Sequence, residues 1–158
     1  MSSRETTERS STPRADPRVF VCNSLAAKAQ SVAEIEGKLA ARGVAPDEAA
    51  AAVEEAMRLG YLDDPELAGQ LARGLRSRGY GRRRAAWTLR QRRLPDGIAA
   101  EALETAYGGD DEDELALSAL GARPVGGDAS RRRAASFLVR RGFSPAAAWR
   151  AVGRARSP

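Results

Sequence analysis

Apolar positions recur along this chain at helical spacing, and one register returns three times. Ile35, Ala85 and Ala134 are each followed four residues on by Leu39, Leu89 and Leu138, and nine residues on by Val44, Leu94 and Phe143. Val53, Leu103 and Val152 fall at plus eighteen, and Ala56, Ala106 and Ala155 at plus twenty-one, with Arg42, Arg92 and Arg141 matching between them. The offsets between copies are 50 and 49 residues. Such a period marks stacked supersecondary units, each expected to bury its apolar face against the next. No stretch of useful length alternates as a strand would. The pattern therefore predicts an all-α fold of three tandem three-helix repeats forming an elongated, curved helical solenoid.

Start signals divide each repeat into helices. Ser31 with Glu34 forms a capping box, Asp64 before Pro65 and Ser144 before Pro145 place a cap ahead of a first-turn proline, and Asp96 is a candidate cap after Leu94. The helices expected are about 19–29, 31–43 and 47–59 in the first repeat, about 64–78, 81–93 and 96–107 in the second, and about 110–121, 129–141 and 145–155 in the third. Residues 1–18 mix Ser, Thr, Arg, Glu and Pro without apolar period and read as a disordered tail. The divisions that follow are a tail at 1–18 and repeats at 19–62, 63–109 and 110–158.

Composition makes this core lean. Alanine dominates the apolar set and the 158 residues include only three Phe, three Tyr and two Trp, so burial depends on close helix approach. No window reaches the roughly 18 consecutive apolar residues of a membrane span, and residues 1–8 lack a signal peptide's apolar segment. These features, with Cys22 as the lone cysteine, predict a cytoplasmic protein away from membranes, and Cys22 itself reads as a small buried hydrophobe.

The formal net charge of +5 hides a steep segregation. Residues 19–72 carry −5, residues 73–93 hold nine arginines and no acid, residues 94–123 carry −7, and residues 124–158 carry +7. A potential patterned this way attracts a polyanion or an acidic protein surface.

Much chemistry is missing. Without histidine the commonest general base and metal ligand are gone, and one cysteine builds no zinc site. Gly121 to Gly127 lack the Gly-Lys-Ser/Thr ending of a phosphate loop. The acidic run Asp110 to Glu114 lacks a calcium loop's spacing and reads instead as carboxylates at a helix N-terminus. No catalytic residue, metal or cofactor is expected. What remains is the arginine-rich helix opening at Arg82. With Ala85 at zero and about 100° per residue, Leu89 lies at about 40° and Ala86 at about 100°, which defines the buried stripe. Trp87 falls at about 200°, among Arg83, Arg84 and Arg90. An indole so placed stacks on a base, anchors a protein interface, or is covered by a neighbouring repeat. Arg131, Arg132 and Arg133 occupy the matching place in the third repeat. Arginines at a helix N-terminus oppose the helix dipole, so their recurrence favours function. Candidate contact residues are thus Arg82, Arg83, Arg84, Trp87, Arg90, Arg131, Arg132 and Arg133.

Gly60-Tyr61-Leu62-Asp63-Asp64, then Ala68, Arg78-Gly79-Tyr80-Gly81, Arg84 and Leu89, and the ending Phe137 to Ser144, are similar to the RecX family of bacterial recombination regulators. The resemblance runs from about residue 24 to 152. Leu67 stands where the family usually has phenylalanine, and Ala85 where it has a larger aliphatic. The resemblance implies a regulator, usually inhibitory, that lies in the groove of the RecA filament on single-stranded DNA and reduces its ATP hydrolysis, strand exchange and coprotease activity. The chain itself is expected to be a monomer, and its basic bands, without an evident base-reading helix, predict weak non-specific binding to bare DNA. It assigns no binding residues. Two other readings stay open: a free-standing helical DNA-binding regulator, which would read duplex sequence without RecA, and a helical adaptor that binds protein only.

Overall fold

The structure is a computed structural model and describes residues 15–155. Among the described residues it contains nine α-helices and no strand: α1 (Pro17–Ala27), α2 (Val32–Ala41), α3 (Pro46–Arg58), α4 (Asp64–Ser77), α5 (Arg82–Gln91), α6 (Asp96–Tyr107), α7 (Glu112–Leu120), α8 (Asp128–Arg140) and α9 (Pro145–Arg154). They form the expected all-helical repeat solenoid of three tandem three-helix units. The tail was expected to run to residue 18, yet α1 already opens at Pro17 with the Asp16 carboxylate accepting from the Arg18 amide. The rest of that stretch, residues 1–14, lies outside the described residues.

Equivalent repeat positions fill equivalent places. Leu39, Leu89 and Leu138 are fully buried, as are Ile35 and Ala85, with Ala134 close behind. The units do not share one core. Val21, Ile35, Leu39, Val53 and Leu62 belong to the first, Leu67, Leu75, Leu89, Leu103 and Tyr107 to the second, and Leu120, Leu138, Phe143 and Val152 to the third. Every extensive helix–helix packing lies inside a unit. The expectation that each unit buries its stripe against its neighbour is corrected here, because the three helices of one unit, the third of them alanine-rich, close on each other around their own apolar cluster. Leu115, which packs against both the second and third cores, is an apolar link between them.

The seams are held by polar groups. At the first seam, Arg92 donates to both Glu34 carboxylate oxygens, at 2.8 and 3.1 Å, and to the Ala29 carbonyl at 2.7 Å. At the second, the equivalent Arg141 donates to the Arg78 carbonyl at 2.6 Å and the Gly79 carbonyl at 3.3 Å. Gly79 stands 50 residues after Ala29, so one repeat arginine grips the same loop of the unit before it at both seams. Backbone also joins the second seam: the Gly81 amide donates to the Arg141 carbonyl at 2.8 Å and the Arg83 amide to the Gly142 carbonyl at 3.2 Å. A methyl on Gly81 would collide with the Gly142 carbonyl and lie 2.8 Å from the Phe143 amide.

Two expected caps sit one residue off. Asp63, not Asp64, caps α4 by accepting from the Glu66 amide at 2.9 Å. Asp64 is buried and accepts from the Val32 amide at 2.9 Å, so it serves the start of α2 in the preceding unit. Asp96 is the first helical residue of α6, where Pro95 holds the cap position without a side-chain bond. Cys22 is exposed rather than buried, since Val21 takes the inward position of α1.

Candidate functional site

The α5 face is built by the contrast between its two sides. Ala85 and Leu89 point into the second core, so Arg83, Arg84, Trp87 and Arg90 are turned to solvent. Trp87 is 46% exposed, and the alternative in which a neighbouring unit covers it is not what the structure contains. The Arg84 guanidinium lies 4.5 Å from the indole centre, a cation–π contact on the exposed ring. Among the described residues Arg83, Arg84 and Arg90 make no ion pair with a carboxylate, whereas Arg82 donates two bonds at 3.1 Å to one Glu104 oxygen. Arg82 is thus partly neutralised.

Arg132 and Arg133 are exposed, while Arg131 is half-buried, 3.6 Å from Asp128, with its Nε unpartnered. The start of α5 meets the turn after α8, so Arg131 to Arg133 stand at the far end of α8, about 15 Å away at 1.5 Å per residue. The two arginine bands are therefore not brought into one cluster.

The acidic run is spoken for. Asp111 caps α7. Asp110 accepts from Arg76 at 2.6 Å, Asp113 from Arg150 at 2.5 and 2.9 Å, and Glu114 from Arg154 at 2.7 Å. Hydrogen bonding to Arg76 and Arg150 holds the Asp110 and Asp113 carboxyls below their ordinary range. Glu112 accepts from the Ser144 amide and hydroxyl at 2.7 and 2.8 Å, tying α7 to α9. Among the described residues no acidic, histidine or cysteine group could hold a metal ion, and no helix is long and apolar enough to cross a membrane.

Sequence reasoning missed two features. Trp149 on α9 is 47% exposed, and a wheel drawn for that helix would have shown it opposite buried Ala147 and Ala151. At the second seam Tyr80 stands between Arg78 of its own unit and Arg141 of the third, and Phe137 between Arg123 and the same Arg141, a juxtaposition without any local signal. Nearby, burial pushes the Tyr107 hydroxyl up to about 12 against the opposing charge of Arg76, and it donates to the Tyr80 carbonyl at 3.0 Å.

Residues 63–103, spanning α4, α5 and most of α6, match the family model described as RecX, second three-helix domain. Over 136 residues the chain is 35% identical to the regulatory protein RecX of Chromohalobacter salexigens, covering 84% of this chain and 88% of that protein. The regulatory protein RecX of Xanthomonas campestris pv. campestris is 36% identical over 124 residues and 75% of each chain. That of Mycolicibacterium vanbaalenii is 32% identical over 159 residues, 90% of this chain and 84% of the other. The crystal structure of RecX from Lactobacillus salivarius superposes with a TM-score of 0.73 over 88% of this chain and 94% of that one, at 16% identity, which speaks for the fold.

Proposed function

Since this chain belongs to the RecX family of regulatory proteins, we propose that it binds the RecA filament on single-stranded DNA and inhibits its ATPase, strand-exchange and coprotease activities. The observation that carries this reading is the α5 face: an exposed indole braced by Arg84, with Arg83 and Arg90 beside it and no acidic partner among the described residues. Aromatic and arginine side chains together are the usual anchors of protein interfaces. Arginine also suits bidentate contact with carboxylate or phosphate, the groups that a recombinase–DNA filament presents. In this reading the protein acts by binding.

Co-sedimentation with the cognate recombinase tests this reading. The protein should pellet with recombinase assembled on single-stranded DNA and stay in the supernatant with DNA alone at physiological salt. Equal pelleting with DNA in the presence and absence of recombinase contradicts it, and tight binding to one duplex sequence without recombinase replaces it with a free-standing DNA-binding regulator.

A further inference from the structure

Guanidinium and ring alternate across the second seam. Arg123 lies 3.9 Å from the Phe137 ring centre, Arg141 lies 4.9 Å from Phe137 and 4.6 Å from Tyr80, and Arg78 lies 5.8 Å from Tyr80. These five side chains and Arg76 line a half-open cavity of about 360 Å³ between the second and third units. The inner cations are committed, Arg141 to the Arg78 and Gly79 carbonyls and Arg76 to Asp110. The outer two are not. Arg78 spends only its Nε, on the Gly74 carbonyl, and the Arg123 side chain is held by the ring it covers. Both are exposed.

We propose that this groove seats single-stranded DNA, with the free edges of Arg78 and Arg123 on backbone phosphates and a base stacked on the open guanidinium face of the ladder. An acidic protein segment would use the guanidinium edges but leave their planar faces idle. Base stacking uses both aspects of the arginine. A duplex keeps its base faces covered, so only a single strand satisfies the whole groove. This inference deepens the filament reading and rests on it for the strand being at hand; it gives DNA to the seam and leaves the α5 face to protein.

Fluorescence anisotropy with labelled oligodeoxythymidylate and the full chain, without recombinase, tests the groove alone. The double variant R78A/R123A should bind at least tenfold more weakly and flatten the log–log salt slope by roughly 1.4, two phosphates at about 0.7 each. A blunt duplex of equal length should lose less. Trp87→Ala should bind the strand as the parent does. Arg123→Lys should keep the salt slope but lose preference for strand over duplex, because an ammonium offers no plane; it serves as the readout should the double variant melt early. Unchanged strand affinity in R78A/R123A overturns the proposal, as does equal weakening on strand and duplex. Intact DNA binding with weakened recombinase inhibition assigns the groove to acidic protein and overturns it too. A parent protein that binds the strand but ignores the recombinase filament would refute the filament reading instead.

Discussion

Glu34 serves two structures with one carboxylate. It closes the capping box of α2 by accepting from the Ser31 amide at 2.9 Å, and it receives Arg92 from the second unit. Burial pushes its carboxyl up, but Arg92, the Ser31 amide and Lys28 outweigh that and hold the pKa below the ordinary value of 4.5. A carboxyl that binds its proton less readily when folded contributes stability that is full above the unfolded value and lost as pH falls through the folded one. In denaturant titrations, Glu34→Gln should therefore be least stable relative to the parent near neutrality, with the gap narrowing below about pH 4.5. A gap independent of pH would mean that Glu34 acts by shape alone. Its capping role was legible because Ser31 and Glu34 are three residues apart, whereas Arg92 lies 58 residues away and only the repeat register hinted at it.

At the scale of elements, the recurring register fixes which face of each helix turns inward, and periodicity together with the cap and proline start signals identified the nine helices of the described residues to within a few residues. What periodicity hides is how one unit meets the next. The Leu62-Asp63-Asp64 run looked like one helix start, yet Leu62 completes the first core, Asp63 caps α4 and Asp64 reaches α2. The Arg78-Gly79-Tyr80-Gly81 run likewise builds the second seam, with Gly79 at φ +76° and Gly81 against the Gly142 backbone. Gly81→Ala should cost about 1–3 kcal/mol, because the obstructing atoms are backbone and the seam must open to admit the methyl. Loss should show first as faster amide exchange at Gly81 and Arg83, while α1 to α3 keep their protection. Wild-type exchange at both amides would show that the seam tolerates the side chain.

Over the whole molecule, charge segregation was readable as sums but not as surfaces. The carboxylates at the start of α7 meet Arg76, Arg150 and Arg154, and Arg82 is taken by Glu104, so part of the apparent polarity along the chain is spent internally. Only the placement of partners reveals which arginines remain, among them Arg83, Arg84 and Arg90 around Trp87, Arg78 and Arg123 at the groove, and Arg132 and Arg133 at the far end of α8. A regulator that works by binding must keep such groups unpaired, and their exposure means that removing them leaves the cores untouched. The most direct measurement is therefore recombinase ATP hydrolysis on single-stranded DNA, titrated with the parent and with R83A/R84A/R90A. The triple variant should keep its helicity and melting temperature yet inhibit at least tenfold more weakly, a loss of about 1.4 kcal/mol of contact. Inhibition equal to the parent's would contradict the assignment of the α5 face to the recombinase.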